Sequence, residues 1–132
     1  MTWLLDVNAL IAALVAAHEH HGRVAAWLAE LPADDSLATC SITELGFVRV
    51  LNQAPHLRVP VKDSLRLLER FRHNRSRPVI QIADDRSAIH LPRWVKSARH
   101  VTDGHLAGLA AHHGCRLATL DASIPKAVVI PA

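Results

Sequence analysis

The sequence predicts an α/β fold with a central, mainly parallel sheet, residues 1–132 forming one domain. Three observations point there. Short apolar runs alternate along the chain with longer helical stretches, the pattern of strand–helix–strand units. Two of those runs end directly in an aspartate, Asp6 and Asp121. The breaks between segments carry turn and capping residues rather than long linkers.

Met1–Leu5 is short and apolar and is followed at once by helix formers, so it reads as a buried strand ending at Asp6. Asn8–Ala17 is a run of Ala, Leu, Ile and Val that suits a buried helix. The segment His18-Glu19-His20-His21-Gly22 interrupts it, and Arg23–Leu31 follows as a second helix with Val24, Trp27, Leu28 and Leu31 on one face. Ser36–Cys40 is the second strand. Ser41 then sits three residues before Glu44, the spacing of a capping box at the start of a helix that runs to Gln53 and stops before Pro55. Val61–His73 is the next helix, with Leu65, Leu68 and Phe71 expected inside. Pro78–Ile82 is a third strand, and 84–101 holds a short helix and the Pro92 break. Thr102 is placed to cap a helix from Asp103 to His113 that ends at Gly114. Arg116–Leu120 and Ala127–Ile130 complete the strands.

Composition removes several function classes. Half the residues are hydrophobic, which excludes a disordered chain. No apolar run approaches the ~20 residues that cross a bilayer, and no basic n-region precedes the first strand, so a cytoplasmic protein without a membrane association is expected. Cys40 and Cys115 are too few for a disulfide framework and lack a CxxC spacing; both read as buried free thiols. The ten histidines form no zinc spacing with a cysteine pair, so His18, His20, His21, His112 and His113 are read as exposed polar residues. The net charge of +3 is unevenly spread: from Arg58 to Arg99 there are eleven Lys/Arg against four acids, and elsewhere four against eight. A basic face for a polyanion and a separate acidic focus would produce that asymmetry, as would an ordinary solvated helix.

The acidic focus carries the chemistry. Asp6 and Asp121 lie just past the carboxyl ends of strands, where open α/β sheets bind ligands. Glu44 and Asp103 lie in the first turns of helices that begin near the same edge. Each has an ordinary role available: Asp6 as a helix cap, Glu44 as the capping-box partner of Ser41, Asp103 as a favourable charge at a helix start, Asp121 as a turn residue. Four such positions at strand–helix switches suggest convergence. Two carboxylates about 4 Å apart repel by about 4 kcal/mol at an effective dielectric near 20, and a hard cation relieves that repulsion. Oxygen-only ligands favour Mg²⁺ or Mn²⁺ over zinc.

The segments LLDVNALIA, SITELGFVRVL, TDGHLAGLAAHHG and LATLDASI resemble the PIN-domain nucleases, and most of all the VapC-type toxins of prokaryotic toxin–antitoxin pairs. The likeness runs from Trp3 to Ile124 in the family's order. It implies a PIN-like α/β/α domain, an acidic quartet of Asp6, Glu44, Asp103 and Asp121 that is both catalytic and metal-binding, and supporting roles for Asn8 and Thr119. It also implies endonucleolytic RNA cleavage with Mg²⁺ or Mn²⁺, a VapB-like antitoxin as a separate chain, and a homodimer. The sequence departs from the pattern after Asp121, where Ala122, Ser123 and Ile124 replace a basic residue and an aromatic, and at His105, where relatives often carry Tyr.

The basic region then gains a use: Arg66, Arg70, Arg72, Arg75 and Arg77 would guide RNA phosphates, with Arg49 one turn beyond Glu44. Apolar helix faces near Trp27 and Val48 would meet in the homodimer. Two other functions compete. One is a PIN-fold module that binds RNA or a partner without catalysis, against which the complete quartet counts. The other is phosphotransfer through a strand-end aspartate, as in haloacid-dehalogenase-like phosphatases; that pattern requires a second Asp where this chain has Asn8.

Overall fold

The computed structural model describes residues 1–74 and 76–132, leaving the predicted contact at Arg75 outside the described residues. Its strands are β1 (Thr2–Leu5), β2 (Ser36–Thr39), β3 (Val79–Gln81), β4 (Arg116–Thr119) and β5 (Val128–Val129). All neighbouring pairs run parallel in the order β3-β2-β1-β4-β5. The chain therefore builds outward from β1 in one direction, then returns to add β4 and β5 on the other side. That reversal places a topological switch between β1 and β4, with a crevice at their carboxyl ends.

The helices are α1 (Val7–Leu14), α2 (His21–Glu30), α3 (Ser41–Gln53), α4 (Val61–Arg72) and α5 (Val101–His112). Strand alternation divides the core into two layers. Trp3, Leu5, Leu37 and Ala118 face a cluster with Leu10 of α1, Val24 and Trp27 of α2, Phe47 and Leu51 of α3, and Leu68 and Phe71 of α4. Leu4, Ala38 and Leu117 face the opposite cluster, closed by Leu106, Leu109 and Ala110 of α5. The parallel sheet is what the alternating pattern predicts, and its three-layer α/β/α arrangement is what the family resemblance implies.

Several local expectations are corrected. The first helix ends at Leu14, not Ala17, because a turn follows: the His18 N–H donates to the Val15 carbonyl (3.1 Å), and the His21 ring nitrogen Nδ1 donates to the Ala12 carbonyl (2.7 Å). Ser41 is the first residue of α3 rather than its cap. Cys40 holds the N-cap position, and the Thr43 hydroxyl accepts from the Cys40 N–H at 3.0 Å, so the Ser41–Glu44 capping box does not form. On α4 the inward stripe is Ser64, Leu68 and Phe71, and Leu65, one residue off that stripe, is 52% exposed. Helix α5 begins at Val101 with His100 in the cap position, so Thr102 lies inside the helix. It ends at His112, one residue before the expected His113, and Gly114 follows the His113 cap with a φ of +68° that suits a residue without a Cβ. The short helix expected in 84–101 is two 3₁₀ turns, Ala88–His90 and Ala98–His100. Trp27 is buried edge-on against Trp3, with ring centroids 5.4 Å apart, and so offers no dimer face. Cys40 is buried as expected, whereas Cys115 is only half-buried. No helix among the described residues is long and apolar enough to cross a membrane.

Candidate active site

Asp6 follows β1 directly and caps α1. Its Oδ1 accepts the Ala9 N–H at 2.8 Å, and its Oδ2 accepts the Thr119 hydroxyl from the end of β4. The carboxyl is buried, and burial pushes its pKa up to about 6; the hydrogen bonds from Thr119 and Ala9 oppose the rise, and the charges of Asp103 and Asp121 add to it. Thr119 also accepts the Asp121 N–H at 3.0 Å, so one hydroxyl ties the ends of β1 and β4 together.

Asp103 stands in the first turn of α5, half-buried. Burial raises its pKa, Asp121 raises it further, and His100 and Arg99 pull it back. Asp121 is held the other way. The Ser123 hydroxyl and N–H both donate to its Oδ1 (2.7 and 2.8 Å), lowering its pKa, with Arg99 and His100 acting in the same direction. Ser123, which stands in the segment that departs from the family pattern, therefore fixes the Asp121 carboxylate, while Ile124 is buried in the core.

The structure thus brings Asp6, Asp103 and Asp121 within electrostatic reach of one another. Glu44 is turned elsewhere: its Oε2 accepts the Thr39 hydroxyl at 2.6 Å, and it lines a separate depression with Leu65, Glu69 and Arg72. Asn8 is exposed and lines the crevice beside Asp6 and Asp121, a space of about 500 Å³. Among the described residues no three acidic, histidine or cysteine side chains close into a finished metal shell. The donor set is nonetheless all carboxylate, and the buried Asp6 carboxyl, hard to ionise beside two like charges, is the kind of group a hard cation would stabilise.

The basic residues divide. Arg70, Arg72 and Arg49 are exposed, and Arg66 pairs loosely with Asp63 at 3.6 Å. Arg77 is not free to guide RNA: its guanidinium donates to the carbonyls of Pro32 (2.7 Å), Asp35 (2.9 Å) and Leu31 (3.2 Å), closing the end of α2. Sequence reasoning missed Arg99, which lines the crevice and acts on both Asp103 and Asp121. It also missed the pair of His105 Nε2 with Asp84 Oδ2 at 2.7 Å. Arg99 stands in no motif, and the motif that holds His105 does not include Asp84; only the fold brings them to their partners.

A parallel α/β/α sheet with carboxylates gathered at its switch point is the arrangement expected of a PIN domain. The PIN domain family matches residues 3–129, and the chain belongs to that family. It is 36% identical over 138 residues to ribonuclease VapC44 of Mycobacterium tuberculosis, covering 98% of this chain and 92% of the relative. Its fold is similar to that of Mycobacterium tuberculosis VapC20, described as a sarcin–ricin loop cleaving toxin, with a TM-score of 0.66 at 15% identity over 98% of this chain and 99% of the other. It is likewise similar to a chain of VapBC2 from Rickettsia felis, solved bound to a promoter DNA fragment (TM-score 0.63, 14% identity, 98% and 97% covered).

Proposed function

We propose that residues 1–132 form a single nuclease domain, a VapC-type toxin that cleaves RNA phosphodiester bonds with Mg²⁺ or Mn²⁺ and is neutralised by a VapB-like antitoxin chain. The observation that carries this is the Asp6–Asp103–Asp121 cluster at the switch point of a PIN fold. The kinship with proteins named VapC ribonucleases supports the substrate class.

Asp6 and Asp103 are assigned as direct ligands of the cation, with Asp121 completing the site directly or through water; Glu44, bound to Thr39 and lining a separate depression, would join them only by releasing the Thr39 hydroxyl. Held by these residues, a divalent cation would neutralise charge at the scissile phosphate and acidify a water molecule for in-line attack. Thr119 holds the Asp6 carboxylate in place, and Asn8 lies next to it in the crevice. Ser123 keeps Asp121 ionised, so that it can attract the cation or orient the attacking water. Arg99 offers a fixed positive charge for a phosphate oxygen. Arg70 and Arg72, with Arg66 and Arg49, guide the polyanion from outside.

A homodimer is part of the same proposal. Trp27 is unsuited to it, but α3 and α4 expose Ile42, Leu45, Val61 and Leu65, and Leu45 is 66% exposed. The protein is expected to act in the cytoplasm. The test is cleavage of a labelled RNA by the purified protein with Mn²⁺ and with EDTA. Fragments that appear only with Mn²⁺ support the reading, and undiminished cleavage in chelator overturns it.

A further inference from the structure

The crevice at the switch point has a second wall that the acid cluster does not use. The turn between α1 and α2 contributes His18 and His20, and the loop after α3 contributes His56. The rings of His18 and His20 lie 5.8 Å apart. His18 Nδ1 accepts the His20 N–H at 3.0 Å, so the neutral His18 ring carries its proton on Nε2. His21 is already committed to the Ala12 carbonyl.

The charge balance of this crevice needs those rings. Asp6, Glu19 and Asp121 line it, and Arg99 is the only Lys or Arg among its described lining residues. A polyanion entering such a space meets more negative than positive charge. Three imidazoles that can each take a proton are the remaining source of cations on this wall.

We propose that His18, His20 and His56 form a phosphate subsite that holds an RNA phosphodiester on the α1–α2 side of the crevice and tightens as the pH falls through the histidine range. The inference rests on the nuclease reading and adds a place where the substrate backbone is gripped. It is distinct from the exposed arginines of α4, of which Arg72 lines the Glu44 depression.

The groups that face this subsite set its response. His18 is held below the usual histidine pKa by burial first and then by His20, with His56 and His21 adding to the effect; Glu19 opposes it. The Glu19 carboxylate lies 3.5 Å from His20 Nε2. Asp6 and Asp121 face the rings from the strand ends, and Arg99 faces them from the second 3₁₀ turn. A phosphate between the rings replaces their mutual repulsion with attraction, so it raises the pKa of His18.

The experiment follows the ring signals of ¹³C-labelled protein by NMR as pH is varied, in EDTA, with and without a short single-stranded oligoribonucleotide. Binding should raise the His18 pKa by about one unit, and RNA affinity should fall about tenfold between about pH 5.5 and about pH 8. The triple variant His18→Asn, His20→Asn, His56→Asn should lose most of that pH dependence, the remainder coming from Asp6, which lines the same crevice and titrates at about 6; Asn at position 18 keeps an acceptor for the backbone N–H at position 20. In Mn²⁺ the triple variant should raise KM more than it lowers kcat, whereas His90→Gln, exposed on the first 3₁₀ turn, should leave the pH dependence of RNA binding as it is. Ring pKa values that RNA does not move, or a triple variant with the wild-type pH dependence, would overturn the subsite. These readouts need no cleavage, so they judge the subsite separately from the nuclease reading, which fails if wild type does not cleave in Mn²⁺.

Discussion

The Thr119 hydroxyl donates to the Asp6 carboxylate across 113 positions of sequence, at the boundary where the sheet reverses its order of growth. That one contact joins the two strand ends that carry the acid cluster. It also lowers the pKa of a buried carboxyl that desolvation and two neighbouring aspartates raise.

Removing the hydroxyl should therefore move Asp6 further from its ordinary range. Thr119→Val keeps the shape of the side chain and deletes the donor to Asp6 and the acceptor for the Asp121 N–H. The Asp6 pKa should rise above its present value of about 6. Loss of one buried and one partly buried hydrogen bond should cost about 1–3 kcal/mol. Carboxyl-carbon NMR titration and a urea melt check both; an Asp6 pKa that stays put would mean the hydroxyl is incidental.

The pH dependence of the metal-free protein has a definite sign. Asp6 titrates from 3.8 in its unperturbed state to about 6 in the fold, so its protonated form favours folding. That stabilising effect is complete below about pH 3.8 and is lost as pH rises through about 6, amounting to about 2–3 kcal/mol by pH 7. In EDTA, Asp6→Asn should flatten this part of the stability profile and raise stability at pH 7. An unaltered pH profile in the variant would remove Asp6 as its source. The same variant should abolish Mn²⁺-dependent RNA cleavage.

Much of the fold is legible in the sequence because its signals are local. Apolar strand runs, an Asp at two strand ends and Gly114 after α5 each act within a few residues. The errors arise where a distant partner decides. Arg77 looks like a free surface cation until the fold brings the carbonyls of Pro32 and Asp35 to it. Glu44 looks like a capping-box partner, yet Thr43 takes the capping role and Glu44 turns to Thr39. Leu65 leaves the core because a shift of one residue on a helix is a rotation of about 100°, and Trp27 is withdrawn from the expected dimer face because Trp3 of β1 packs against it. Arg99 carries no motif, and its effect on Asp103 and Asp121 exists only in three dimensions.

The exposed arginines of α4 give a prediction about salt. Replacing Arg70 and Arg72 with Gln removes two cations that have solvent-facing side chains and lie outside the core. RNA binding in EDTA should weaken, and the slope of log affinity against log salt should become shallower by about 1–1.5, the release of about two counterions from a single strand. A slope identical to wild type would return these residues to ordinary solvation of the helix.

The final prediction tests whether the carboxylates share one cation. In the metal-free fold Asp103 and Asp121 repel, and Asp103 is pushed up by burial and by that neighbour. Asp103→Asn removes one charge while keeping side-chain volume, so the metal-free variant should be more stable than wild type by about 1 kcal/mol near neutral pH. Excess Mn²⁺ should reverse the order. A ligand that binds only the folded state stabilises it by about 2.7 kcal/mol at about one hundred times its Kd, and the variant, lacking one of the proposed ligands, should lose most of that gain. Four thermal melts decide it: wild type and Asp103→Asn, each with EDTA and with Mn²⁺. Equal shifts in Tm on adding Mn²⁺ would show that Asp103 does not contribute to a cation site with Asp6 and Asp121, and the proposed ligand set would fall with it.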